Sequence, residues 1–176
     1  MQSRNCEVCI VGAGPAGLTA GLFTARAGLE TLVLRAGDPI LHRNAHLENV
    51  PGFPAGVNPR RFLDLLTEQA ERNDVAIVSA RATAVQHASA EANGRFAVET
   101  AAEATVRADA VVCASWPSGD LLAAVDGVDC ETRGTKTVAD VTAEGETGVD
   151  GLYAAGRVAG EPHQTVVAAG HGAKVG

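Results

Sequence analysis

The chain has 176 residues, of which 46% are hydrophobic, and a formal net charge of −7. This length suits a single domain with a sizeable core, and such an acidic balance disfavours nucleic acid as a partner. No run of 18 apolar residues is present, so no membrane span is predicted. The first predicted strand begins so early that we expect no signal peptide, and the four scattered cysteines suit a cytoplasmic location without structural disulfides.

The first part of the chain has the pattern strand, glycine turn, helix, strand. These elements are predicted at residues 6–11, 12–17, 15–27 and 31–34. The turn carries G-x-G-x-x-G: Gly12 allows a tight turn, Gly14 removes a side chain where a pyrophosphate approaches, and Gly17 permits close helix packing. Pro15 suits the first helical turn, whose free amides attract phosphate. The segment is therefore predicted to be a βαβ dinucleotide-binding unit.

The end of the second strand is where such units usually place an acidic residue for the ribose hydroxyls. Arg35 stands there instead, and Asp38 comes three residues late. Arg35 either meets a phosphate, as in NADP-type sites, or faces solvent.

The rest of the chain alternates irregular segments with regular elements. Residues 36–58 are predicted to form a binding loop, and a helix capped by Asn58 begins at Pro59 and ends near Asn73. Strands are predicted at 75–79, 82–88, 95–100, 104–107, 109–114, 136–140 and 151–156, with irregular chain at 115–135 and a last helix from Gln164. The runs at about 82–107 indicate a small antiparallel meander.

No metal site is expected. His42 and His46 have a helical spacing, but the prolines and glycines around them argue against a helix. Cys113 lies in a buried strand and is interpreted as a core residue. Cys6 and Cys9 have the Cys-x-x-Cys spacing of a redox pair, but alternation along a strand predicts that they point to opposite faces, so the core interpretation is favoured.

Four stretches of the sequence resemble the flavin domain of the thioredoxin reductase family. They are V-G-A-G-P-A-G at 11–17, L-E-N-V-P-G-F-P at 47–54, A-D-A-V-V-C-A-S at 108–115 and G-L-Y-A-A-G-R-V at 151–158, followed by His163-Gln164 and A-A-G at 168–170. The family reads V-E-N-x-P-G-F-P at the second, A-D-x-V-I-x-A-T-G at the third and G-x-F-A-A-G-D-V at the fourth. The resemblance implies an α/β fold: a three-layer, Rossmann-like FAD/NAD(P)-binding domain over residues 1–176, with a parallel sheet and an antiparallel meander.

The chain also departs from that family. Members insert an NADPH-binding domain with a redox Cys-x-x-Cys between the third and fourth stretches, and here a short segment fills the gap, with the excision point at about 115–120. Trp116, beside Pro117, lies at this point and either covers the exposed surface or forms a dimer contact. Arg157 replaces the aspartate that holds a ribityl hydroxyl of FAD, and arginine cannot supply a carboxylate acceptor.

FAD is the cofactor that the resemblance implies. The predicted binding residues are Gly12, Ala13, Gly14, Pro15, Ala16, Gly17, Arg35, Asn49, Ala82, Gly156, Arg157, Gln164 and Thr165. No catalytic residue is predicted, because no general base or nucleophile stands out.

The favoured function is a stand-alone FAD-binding domain with an oxidoreductase or electron-transfer role. Without a nicotinamide domain it needs an external electron donor, either a redox partner protein or free NAD(P)H, and a homodimer is left open. The alternatives are a non-enzymatic sensor of NADP- or ADP-type nucleotides and a cofactor-free scaffold. Membranes and nucleic acids are not expected as partners.

Overall fold

A computed structural model describes residues 3–89 and 93–176. The helices are α1 (Pro15–Arg26), α2 (Pro59–Glu71), α3 (Gly119–Ala123) and α4 (Thr165–Val175). The strands are β1 (Arg4–Val11), β2 (Thr31–Arg35), β3 (Ala76–Ser79), β4 (Ala82–His87), β5 (Phe96–Thr100), β6 (Thr105–Cys113), β7 (Cys130–Arg133), β8 (Lys136–Ala139) and β9 (Leu152–Ala154). No helix in these ranges is long and apolar enough to cross a membrane.

One mixed sheet organises the fold, with the strand order β3-β2-β1-β6-β5-β4 and β9 paired to β6. Strands β3, β2, β1, β6 and β9 run parallel, while β4, β5 and the first half of β6 form an antiparallel meander. One edge of β6 is shared, since its first half pairs with β5 and its second half with β9. The carboxyl ends of β1, β6 and β9 therefore meet at one edge of the sheet, the position where open α/β sheets bind ligands.

Each face of the sheet buries its own apolar cluster. Residues of α1 and α2 pack on one face, where Ile10, Leu18 and Val33 are fully buried. The other face is covered by α3 and by the separate β7–β8 hairpin, with Phe96 and Leu122 fully buried. The layered α/β fold with a parallel sheet and an antiparallel meander agrees with the predicted fold class.

Helix α4 lies directly against α1 because its glycines leave no gap between the two backbones. A Cβ built on Gly172 would overlap the carbonyl oxygen of Ala16, and one on Gly176 would overlap that of Ala20. This close approach brings Gln164 and Thr165, at the start of α4, next to the start of α1.

The predicted elements hold with two differences. The runs at 104–107 and 109–114 form one continuous strand, β6, because its halves pair with different neighbours on one edge. The segment 115–135, predicted to be irregular, contains α3 and β7, which are too short to give a periodic signal. Part of the predicted turn between the runs 82–88 and 95–100, residues 90–92, lies outside the described residues.

The predicted orientation of Cys6 and Cys9 is wrong. Both thiols are buried in the same apolar cluster, whereas Val8 and Ile10 between and beside them belong to the opposite face. Strand alternation is interrupted at Glu7, where the amides of Glu7 and Val8 both donate to the Glu30 carbonyl, as in a β-bulge. A hydrogen bond with Cys6 and burial raise the pKa of the Cys9 thiol well above its usual value. These are core thiols, as predicted, rather than a reactive thiolate.

Candidate functional site

The turn between β1 and α1 is shaped by backbone sterics. Gly12 has a φ of +120°, which side chains rarely adopt. A Cβ on Gly17 would overlap the Gly12 carbonyl oxygen, whereas a Cβ on Gly14 would meet no protein atom within 4 Å. Gly12 and Gly17 are therefore required by the fold itself, whereas the open space beside Gly14 is available to a ligand.

The start of α1 suits an anion. Gly14 is the N-cap, so no side chain caps the first-turn amides, and the first turn holds no acidic residue. Free amides together with the helix dipole favour a phosphate group at this point. The donors present, and the open space beside Gly14, fit the pyrophosphate of a dinucleotide.

A cavity of about 470 Å³ opens beside this turn, and we call it the turn cavity. It is bordered by residues 11–14, the end of β2 and the start of β4, so it contains the predicted residues Arg35 and Ala82. Four cationic side chains line it, namely Arg35, Arg43, Arg81 and Lys136, against a single acidic residue, Asp38. Within a chain of net charge −7, this local excess of positive charge favours a phosphorylated ligand.

Arg35 is held at the border of the turn cavity and does not extend freely into solvent. Its guanidinium donates a hydrogen bond to the Thr67 hydroxyl at 3.0 Å, and the side chain is half-buried. Both interpretations left open by the sequence, contact with a phosphate or exposure to solvent, stay predictions.

A second cavity, of about 460 Å³, lies on the other side of the α1 start, and we call it the loop cavity. Its walls come from the loop before α2, from the chain after β9 and from the start of α4. The predicted residues that line it are Pro15, Ala16, Asn49, Gly156, Arg157, Gln164 and Thr165. The amide of Asn49 donates to the Gln164 side-chain oxygen at 2.5 Å, which joins two segments far apart in sequence.

The predicted binding residues therefore assemble at one edge of the sheet. All of them line one of the two cavities except Gly17, whose contact is with the backbone of Gly12. Their roles toward a cofactor remain predictions.

Trp116 is a site residue that the sequence did not identify as one. It begins a short 3-10 helix after β6 and lines both cavities, and the guanidinium carbon of Arg157 lies 4.1 Å from the centre of its ring. Its position just beyond the carboxyl end of a buried parallel strand was the available signal. Arg43, Arg81, Lys136, His46 and His163 were also not predicted and line one cavity each.

Two histidines contribute neutral rings near the loop cavity. Burial lowers the pKa of His171, which is 6% exposed, and its Nδ1 accepts a hydrogen bond from the Gly156 amide at 3.1 Å. His163 lines the cavity, and burial together with the charge of Arg157 lowers its pKa. Both are neutral near pH 7, so His171 can act as an acceptor that holds the backbone beside Arg157.

Among residues 3–89 and 93–176, no group of three or more histidine, cysteine or acidic side chains is arranged to hold a metal ion. Cys113 is fully buried, and burial raises its pKa to about 12, partly opposed by a hydrogen bond with Ser118. What the arrangement offers is a phosphate-binding turn between two cavities.

Comparison with known proteins agrees with this geometry. The family model described as pyridine nucleotide-disulphide oxidoreductase matches residues 45–172, and the model described as FAD binding domain matches residues 5–40. Both support FAD as the cofactor.

Individual relatives agree as well. The chain is 33% identical over 122 residues to mitochondrial thioredoxin reductase 1 of Arabidopsis thaliana, covering 65% of this chain and 31% of the relative. It is 36% identical over 111 residues to thioredoxin reductase of Streptomyces coelicolor, covering 60% of this chain and 33% of the relative. The chain thus spans about a third or less of the curated relatives that it matches.

The fold is shared with solved structures. The atypical thioredoxin reductase TRi of Desulfovibrio vulgaris Hildenborough superposes with a TM-score of 0.77 at 18% identity, covering 96% of this chain and 94% of that one. At this identity the likeness concerns the fold alone.

Proposed function

This chain belongs to the pyridine nucleotide-disulphide oxidoreductase family, as a thioredoxin reductase-like FAD-binding domain, and we propose that it transfers electrons between an external donor and an external acceptor through FAD. The observation that carries the proposal is the position of the glycine turn: it lies between two cavities, so one extended dinucleotide could occupy both. FAD, when bound, supplies reversible hydride and electron transfer.

The chain's own residues would hold the two halves of the cofactor. The first-turn amides of α1, with Gly14 leaving space, would bind the pyrophosphate. Arg35 and the backbone near Ala82 would border the adenosine half in the turn cavity. Asn49 and Gln164, which are already hydrogen-bonded to each other, would present amide groups to the flavin half in the loop cavity.

The need for an external donor follows from the segment between β6 and β9. Residues 114–151 form α3 and the β7–β8 hairpin, which cover one face of the sheet, and contain no second G-x-G-x-x-G. This segment therefore offers no second dinucleotide site of that type. Electrons would come from free NAD(P)H or from a redox partner protein. The proposal also includes a cytoplasmic location and a homodimer.

The visible absorption spectrum tests this proposal. The protein is measured as purified, and again after incubation with FAD and desalting, with free FAD on the same column as the control. We expect a retained flavin band that NADH or NADPH bleaches slowly under anaerobic conditions and that a partner reductase bleaches faster. A protein that stays colourless after loading with FAD contradicts the proposal, and a tightly held colourless nucleotide would identify a sensor instead.

A further inference from the structure

Trp116 borders both the turn cavity and the loop cavity. Within residues 3–89 and 93–176, three residues line both cavities, namely Ile40, Ala114 and Trp116, and the indole is the largest of the three side chains. The side chain is half-buried just beyond the end of β6. The indole is therefore well placed to narrow the path of a dinucleotide that occupies both cavities.

Arg157 holds the indole in this position. Cys113 of β6 pairs with Ala154 of β9, and Trp116 and Arg157 each follow three residues later along these parallel strands. Both begin or extend short 3-10 helices, Trp116–Ser118 and Gly156–Ala159, so the two side chains lie side by side. The guanidinium carbon is 4.1 Å from the ring centre, a cation–π contact.

The backbone beside this pair packs closely against the β1–α1 turn. A Cβ on Gly12 would lie 2.9 Å from the Ser115 Cβ, and a Cβ on Gly156 would lie 2.9 Å from the Ala16 Cβ. The His171 ring also accepts a hydrogen bond from the Gly156 amide. Because both backbone segments lie against the turn, moving the indole away from the guanidinium is the most direct way to widen the passage.

We propose that the Trp116–Arg157 pair is a gate between the two cavities that determines which nucleotides bind. The inference rests on the proposed function, since it concerns how FAD enters its site. A ligand that ends at its diphosphate, such as ADP, occupies the turn cavity with the pair intact. FAD extends into the loop cavity only when the indole leaves Arg157, so the cost of breaking this contact lowers the affinity for FAD without lowering the affinity for ADP.

Both residues of the pair differ from the residue that the family motif has at that position. Trp116 stands at the glycine of A-D-x-V-I-x-A-T-G, and Arg157 stands at the aspartate of G-x-F-A-A-G-D-V. The two departures contact each other, which is expected if they act as one unit. Restoring the family residue at each position gives the two substitutions expected to open the gate, Trp116→Gly and Arg157→Asp.

Equilibrium titrations of FAD and ADP test the gate. FAD binding is followed by flavin fluorescence and ADP binding by calorimetry, with Trp116→Ala as a second variant if Trp116→Gly does not fold. We expect Trp116→Gly and Arg157→Asp each to tighten FAD binding at least tenfold and to change ADP affinity less than threefold. The double variant should gain less than the product of the two, because both changes break one contact. Arg72→Asp, at an exposed arginine just after α2 and with the same charge change, should alter neither affinity.

Tryptophan fluorescence provides a second test, because Trp116 is the only tryptophan in the chain. In the unsubstituted protein, saturating FAD should change the emission of Trp116 as the indole leaves Arg157, whereas saturating ADP should leave it nearly unchanged. Arg157→Asp, in which the contact is already lost, should have an altered emission before any nucleotide is added.

The outcomes separate the gate from the proposed function. FAD that binds the unsubstituted protein and binds no more tightly in either variant contradicts the gate and leaves the flavin role intact. An equal change in FAD and ADP affinity also contradicts it, since the pair would then only shape the turn cavity. Failure of every variant to bind either nucleotide overturns both the gate and the proposed function.

Discussion

The β1–α1 turn and the β6–β9 ends lie at the same edge of the sheet and border the same two cavities, but they are held by different forces. The turn is determined by backbone contacts, since any side chain on Gly17 would overlap the Gly12 carbonyl. The ends of β6 and β9 are distinguished by the side chains that follow them, since the guanidinium of Arg157 stacks on the ring of Trp116. The turn keeps the family pattern and the strand ends do not.

The difference shows which parts of a cofactor site can change without loss of the fold. A position whose backbone approaches another backbone tolerates only glycine, whatever ligand is bound. A position whose side chain faces a cavity can be replaced, because the cavity absorbs the change in volume. Ligand preference is therefore expected to diverge at the strand ends while the phosphate turn stays constant.

The largest effect is expected for Gly17→Ala, which tests the backbone side of the comparison. The added methyl group has to displace the Gly12 carbonyl, and such overpacking against backbone should cost about 3 kcal/mol or more of unfolding free energy. Urea denaturation followed by circular dichroism measures it. Gly170→Ala is the control: a Cβ there meets nothing within 4 Å on an exposed helical face, so stability should rise by up to about 1 kcal/mol. Equal stability of both variants would refute the steric argument.

A smaller effect is expected for Gly14→Ala, which separates folding from binding within the turn itself. Its φ of −85° suits any residue and its Cβ has open space, so unfolding free energy should fall by no more than about 1 kcal/mol, mainly from the weaker N-cap. The methyl group would occupy the space beside the first-turn amides, and FAD affinity should drop about tenfold. Fluorescence titration measures this drop, and an unchanged affinity would show that phosphate does not approach Gly14.

The smallest effect is expected for His171→Gln, which tests how the strand ends depend on side chains. Burial lowers the pKa of His171, so the unfolded chain takes up a proton near pH 6.5 before the folded chain does. Stability is therefore fully present above about pH 6.5 and falls as the pH drops below it toward the lowered pKa. In His171→Gln this acid loss should be smaller, while stability at pH 7.5 should fall by about 1 kcal/mol through the weakened bond to the Gly156 amide.

Thermal unfolding between pH 7.5 and 5 measures the contribution of His171. His87→Gln, at an exposed histidine, is the matched control and should keep the acid dependence of the unsubstituted protein. If both variants lose the same acid dependence, His171 is not its source.

Local features of the sequence predicted much of this fold. The glycine spacing placed the β1–α1 turn, and Asn58 followed by Pro59 placed the start of α2, where the Asn58 side chain accepts from the amides of Arg60 and Arg61. The orientation of Cys6 relative to Cys9 was predicted wrongly, because alternation along a strand says nothing of a bulge that depends on the neighbouring strand.

The candidate site was predictable where motifs carry it. Asn49 and Gln164 were named from the resemblance, and the structure brings them within hydrogen-bond distance. The sequence predicts that Trp116 either covers exposed surface or forms a dimer contact, because nothing near it in sequence indicates that Arg157 stacks on its ring. The burial of His171 was also not predictable, because the glycines and alanines around it in the helix do not indicate which face is buried.

The sequence by itself determined the order of elements and the phosphate turn, because both depend on interactions between residues close together in the chain, and its resemblance to a family implied the cofactor. Only the tertiary structure decided that two cavities flank the turn and that Trp116 borders both. The reason is that the β6–β9 register, which aligns Cys113 with Ala154, is formed between segments separated by a hairpin and a helix. Contacts across such a register depend on how whole elements pack, and no local pattern of residues specifies them.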